Sequence, residues 1–300
     1  MKLIFSKTYP LKIFLILLFS CLSICNAQNP KKPNFILILT DDQSWVGTSF
    51  LADPKDPRSK SDFYQTPNMK RLAESGMRMT HGYAPAPFCS PTRKSILTGL
   101  TPAKHEYQKD RENWTMAFRK QITIPKILKM ADPNYVTAHF GKWDARYDNF
   151  TPEEMGYDYS DGLTSNNTGG GKKTINKNGQ DYPFKMGEAW PKVYDDPKLI
   201  FSLTQRSNDF IEEQTNKNKP FFIQISHYAV HLAITYSQKK IKKYSMLDKG
   251  KKHFVPEFAA MTEDMDKGIG MILDKVESLG IADNTYIIFL SDNGGRTSIP

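Results

Sequence analysis

Four short apolar runs, each closed by polar or charged residues, limit the folds open to this 300-residue chain. Residues 34–40 read NFILILT, residues 135–140 YVTAHF, residues 221–226 FFIQIS and residues 285–290 TYIIFL. Runs of this length, rich in Ile, Val and Phe, suit strands covered on both faces. Helical periodicity follows the first run at 66–75 and precedes the others at 124–130, 199–213 and 257–279. This alternation predicts an α/β fold with a mostly parallel mixed sheet sandwiched between helices. Residues 149–191, rich in Gly, Asn, Lys and Tyr and without periodicity, read as a long surface excursion that shapes a cleft.

In open parallel sheets, ligands bind beyond the carboxyl ends of the strands. The residues just past the four runs are Asp41 and Asp42, Gly141-Lys142-Trp143, His227 with His231, and Asp292-Asn293-Gly294-Gly295. The topology therefore aims carboxylates, a lysine, histidines and an amide at one rim. Each group alone has an ordinary reading. An Asp pair or Asp-Asn-Gly-Gly serves equally as a helix cap or turn, and Gly-Lys-Trp as a surface lysine beside a core tryptophan.

The first twelve residues carry Lys2, Lys7 and Lys12 and no acid, and residues 13–24 form an apolar run too short to cross a bilayer. With the small residues Cys25 and Ala27 at the cleavage positions, residues 1–27 read as a signal peptide. The mature chain is then exported, periplasmic or secreted, with no membrane attachment after cleavage. A lipid anchor on Cys21 fits less well, because Phe19 and Ser20 match that signal only in part. Cleavage removes Cys21 and Cys25 and leaves Cys89, which closes no internal disulfide and is a bystander, an intermolecular link or a reactive group. The formal charge of +9 falls to about +6, which suits an anionic substrate as well as it suits plain surface solvation. Export and the lack of a binding motif argue against nucleic acid.

Residues 88–99 read FCSPTRKSILTG. Pro91 suits a first helical turn, Cys89 or Ser90 the cap before it, and Gly99 the stop. Cys89 then sits at a helix N-terminus, where free N–H groups and the dipole favour anions. The pattern Cys89-x-Pro91-x-Arg93 resembles the signature of type I sulfatases, the formylglycine-dependent members of the alkaline phosphatase superfamily. The Asp pair, Gly141-Lys142-Trp143, a histidine after a later strand and Ser291-Asp292-Asn293-Gly294-Gly295 follow in the family's order. The resemblance covers most of the mature chain. It implies that residues 28–300 are a sulfatase catalytic domain truncated at its C-terminal end, without the family's small C-terminal domain.

It further implies that a formylglycine-generating maturation enzyme converts Cys89 to formylglycine (3-oxoalanine). A plain thiol or hydroxyl attacking sulfur would leave a stable sulfated enzyme. In a hydrated aldehyde, one hydroxyl attacks while the second collapses and expels sulfate. One Ca²⁺ would be held by Asp41, Asp42, Asp292, Asn293 and an oxygen of modified Cys89. Arg93 would hold the formylglycine, Lys142 would bind sulfate oxygens, and His231 would protonate the leaving alkoxide, with His227 as competitor. The implied substrate is a sulfated carbohydrate or other sulfate ester. The alternatives are a phosphonate or phosphodiester hydrolase of the same superfamily, or a non-catalytic binding protein.

The chain departs from the family at three points. Ala233 stands where a proline usually follows the histidine, and Asp144 stands where a histidine usually follows Gly-Lys-Trp. The family's further sulfate-binding lysine, downstream, is missing before Pro300, and Arg296 fits that role poorly. Glu263, Asp264 and Asp266 read as the solvated face of a helix. Tyr157, Tyr159 and Tyr182 suit either sugar stacking or packing.

Overall fold

The first apolar run becomes β1 (Asn34–Thr40) of a five-stranded sheet. The structure, a computed structural model, describes residues 32–105, 118–144, 150–166, 168, 196–232 and 234–295. The expected signal peptide, the excursion beyond residue 168, Tyr182 and Arg296 lie outside the described residues. The other strands are β2 (Val136–Gly141), β3 (Tyr159–Ser160), β4 (Phe221–Ser226) and β5 (Thr285–Ser291). Their order is β3-β2-β4-β1-β5, and every pairing among the described strands is parallel, with no antiparallel member of the expected mixed sheet.

Side chains alternate across the pleat. Ile36, Ile38, Ile223 and Ile225 face one layer, built on α4 (Ile200–Asn216) and α6 (Pro256–Ser278) through Leu203, Met261, Met265 and Ile269. Leu37 and Phe222 face the other, where they meet Leu97 of α2 (Cys89–Thr98), with Ile124 and Leu128 of α3 (Ile124–Ala131) packed behind. The helices flank the sheet because its strands are apolar on both faces. Among the described residues, no helix is long and apolar enough to cross a membrane.

Three expectations need correction. The start of the excursion is not surface loop: Phe150, Met155 and Tyr157 are buried in the second layer and β3 extends the sheet. Its apolar residues join one cluster with Leu97, Phe118, Trp143 and Phe222. Tyr157 is therefore a packing residue, its ring stacked on Phe222 and its hydroxyl bonded to Gln224 at 2.7 Å. The carboxylates Asp264 and Asp266 are not solvated, each being buried on α6. They serve two helices that the chain packs alongside: α1 (Pro67–Glu74), expected from the sequence, and the lysine-rich α5 (Gln238–Ser245), which the sequence reading did not anticipate. Finally, the cap of α2 is Phe88, which places Cys89 inside the first turn.

Register decides where the functional residues emerge. Leu39 is level with Ser226 and Leu290, and Ser226 with Gly141, so four strands end on one line. The residues that follow leave the sheet together.

Candidate active site

Backbone bonds stitch the four strand ends into a floor. Asp292 N donates to Thr40 O at 3.0 Å, His227 N to Leu39 O at 2.8 Å and Lys142 N to Ser226 O at 2.8 Å. Asp42 turns the chain sharply with φ 57, a left-handed conformation that Asp tolerates better than most side chains. Gly141, with φ 91, lets β2 and β4 touch: a Cβ there would stand 2.0 Å from Ser226 O.

On this floor, ligand atoms of Asp41, Cys89 and Asp292 lie within 4.8 Å of one another. Asp41 and Asp292 are fully buried. Arg93, one turn along α2 from Cys89, donates through Nε and Nη2 to Asp292 Oδ2 at 3.0 and 2.8 Å and through Nη1 to Lys142 O at 2.8 Å. Lys142 Nζ donates to Asp41 Oδ2 at 2.5 Å and stands 3.8 Å from Asp144. Asn293 Nδ2 donates to Asp42 Oδ1 at 2.6 Å, while Asp292 Oδ1 accepts from Asp42 N at 3.1 Å.

Two oxygens are left over: Asp41 Oδ1 and Asn293 Oδ1 are buried with no hydrogen-bond donor among the described residues. Buried acceptors without donors are costly. Carboxylate and amide oxygens converging with two of them unsatisfied suit a hard divalent cation such as Ca²⁺. Burial pushes the Cys89 thiol up to about 12, with Asp41, Asp292 and Asp144 adding to the rise and Lys142 opposing it. As a thiol the group therefore stays protonated and weakly nucleophilic. Phe88 offers no side-chain acceptor to the first N–H groups of α2, which stay open to an anion.

The histidines separate by environment. His231 Nε2 lies 3.7 Å from Asp42 Oδ2 and 3.3 Å from Asn166 Nδ2, and its Nδ1 donates to Leu232 O at 2.5 Å. His227 is fully buried, neither ring nitrogen has a hydrogen-bond partner among the described residues, and burial pushes it down to about 4. His139 bonds Ser226 Oγ at 3.2 Å beneath the rim; burial, then the Arg93 charge, push it down to about 3. Both are neutral at ordinary pH, and only His231 borders the acidic cluster.

The sequence-expected residues Asp41, Asp42, Cys89, Arg93, Lys142, His231, Asp292 and Asn293 thus meet around one cluster. Three neighbours were missed or underread. Asp144, with φ 59, accepts from Ser90 Oγ at 3.0 Å and so touches the residue beside Cys89. Asn166 fixes His231 from the excursion. Lys198, in the turn before α4, is buried within electrostatic reach of Asp41, Asp42 and Lys142. No period or motif marks either of the last two.

A family profile described as Sulfatase matches residues 33–298. N-acetylgalactosamine-6-sulfatase of Mus musculus is 27% identical over 301 residues, covering 93% of this chain and 54% of that protein. Ulvan-active sulfatase of Formosa agariphila is 26% identical over 293 residues, covering 89% of this chain and 51% of its own. The chain thus spans about half the length of these curated relatives. The PsFucS1 sulfatase of Pseudoalteromonas sp. shares the fold, with a TM-score of 0.65 at 23% identity over 96% of this chain and 60% of that one.

Proposed function

The chain belongs to the sulfatase family, and on that premise we propose that it hydrolyses sulfate esters on a carbohydrate, at the buried oxygen cluster around Cys89. The observation that carries this reading is the pair of donorless buried oxygens, Asp41 Oδ1 and Asn293 Oδ1, beside Cys89 at a helix N-terminus. Asp41, Asp42, Asp292 and Asn293 would hold one Ca²⁺ together with an oxygen of Cys89 matured to formylglycine. When present, these groups would supply positive charge beside position 89 and a hydroxyl nucleophile in place of the inert thiol.

The chain's own residues do the rest. Arg93 locks Asp292 and the Lys142 carbonyl, which fixes the first turn of α2 against the ends of β2 and β5. Lys142 neutralises Asp41 and presents its remaining N–H donors toward a sulfate oxygen. The open N–H groups of α2 favour the anion at the same point. His231, when protonated, pairs with Asp42 and gives its Nε2 proton to the departing alkoxide. Two of the relatives bear names that specify sulfated carbohydrates, which supports a sugar ester as substrate. A formylglycine-generating enzyme as maturation partner and export to the periplasm or medium belong to the same proposal.

The test is co-expression with a formylglycine-generating enzyme, mass spectrometry of the peptide 85–94, and assays on aryl sulfate, sulfated sugars, aryl phosphonate and phosphodiester. The expected result is an aldehyde at position 89 with turnover of sulfate esters. That turnover should fall by about 10³-fold or more in Cys89→Ala and be lost on calcium chelation. An unmodified thiol after competent maturation, or turnover confined to the phosphorus substrates, overturns the proposal.

A further inference from the structure

Both cations named by the motifs are already matched by carboxylates. Arg93 makes two bonds to Asp292, and Lys142 is paired with Asp41. Lys198 differs. It is 3% exposed, and among the described residues its ammonium has no hydrogen-bond acceptor or carboxylate partner. Lysines are rarely so buried without a counter-charge, since removing the ammonium from water is costly.

The backbone around Lys198 is held firmly. Lys198 and Leu199 adopt φ 55 and φ 54, consecutive left-handed residues that side chains with a Cβ take up only under constraint. Lys198 N–H donates to Thr235 Oγ1 at 2.9 Å, which ties it to the loop that carries His231. Asp196 caps α4 through the N–H groups of Phe201 at 2.7 Å and Ser202 at 3.2 Å. The side chain held by this turn is buried, and the charges of Asp41, Lys142 and Asp42 act on it.

We propose that Lys198 is a second anion-binding cation of the site, one that meets a sulfate oxygen of the bound ester. The inference rests on the sulfatase reading. A sulfate monoester brings a single negative charge to an ammonium that has no carboxylate partner among the described residues, whereas Lys142 is already held by Asp41. Burial pushes Lys198 down to about 8, against the pull of Asp41, and an arriving anion would oppose that fall.

The deciding experiment is calorimetric titration of inorganic sulfate into the calcium-loaded full chain as wild type, Lys198→Met and Lys198→Arg. Sulfate affinity is expected to drop at least about 10-fold in K198M and to recover most of the way in K198R, with calcium affinity unchanged in all three. Wild-type protein that ignores sulfate, K198M that binds it as tightly as wild type, or K198R that fails to rescue overturns the proposal. Turnover of sulfate esters by the matured chain is scored separately. Active enzyme with sulfate binding indifferent to position 198 defeats only the Lys198 assignment. A Lys198-dependent sulfate site on a matured protein without turnover defeats only the enzymatic reading.

Discussion

Gly141 controls the site although it carries no functional group. Its φ of 91 and its contact with Ser226 O let Lys142 N–H bond that same carbonyl and send the lysine toward Asp41. Gly141→Ala puts a Cβ 2.0 Å from the backbone oxygen of Ser226, a clash that separation of the ends of β2 and β4 relieves. We expect a loss of about 1–3 kcal/mol in stability, read by thermal denaturation, together with weaker calcium binding. Unchanged calcium affinity would show that Lys142 is positioned by something other than this strand end. At the residue scale Asp41, Lys142 and Asp292 were legible because each follows a strand end, whereas Cys89 and Arg93 were legible from the Cys89-x-Pro91-x-Arg93 pattern. Lys198 was not: before folding it is one lysine among many in polar sequence, and only the left-handed turn and the Thr235 bond bury it.

Helix α6 shows why element-level reading went astray. Its apolar positions were correctly periodic, and its acids were read as facing water. In fact Asp266 accepts from Asn68 N at 3.1 Å and Met69 N at 2.8 Å, so it caps α1 from nearly two hundred residues away. Asp264 accepts from the N–H of Ser237, the cap residue of α5, at 3.1 Å. Glu263 receives Lys240 and Lys243 of α5, each at 2.7 Å. The acids dock two helix N-termini and a basic helix, partners that no local period reveals. Burial works against the Glu263 charge, but bonds from Lys240, Lys243 and Tyr244 prevail and hold its pKa below the ordinary 4.5. A carboxyl lowered by folding adds stability above its unfolded value and loses it as pH falls through the folded one. Glu263→Gln should therefore be less stable than wild type by about 1–3 kcal/mol at pH 7, with the gap closing as the medium is acidified below pH 4.5. Urea denaturation across that range checks it, and a gap that stays constant with pH would remove Glu263 from the account.

For the molecule as a whole, stability rests on the middle of the sheet. β4 lies between β2 and β1 with all six residues buried, whereas β5 pairs only with β1 among the described strands. Ile225→Ala, at a fully buried position, should cost about 2–5 kcal/mol, and Ile288→Ala, at a half-exposed one, less than about 1 kcal/mol; chemical denaturation ranks the two. Equal costs would mean that β5 is as deeply packed as β4. Sequence alone determined the α/β class, the four long strands and the identity of the residues at their carboxyl ends, because strand composition and helical period are properties of neighbouring residues. It also placed Cys89 at a helix start, through Pro91 and Gly99. Tertiary structure alone decided which charges pair, that Asp264 and Asp266 cap other helices, that part of the excursion enters the core, and that Lys198 is buried. Those outcomes depend on distances between residues far apart in the chain, and such distances exist only once the sheet has brought its strand ends into line.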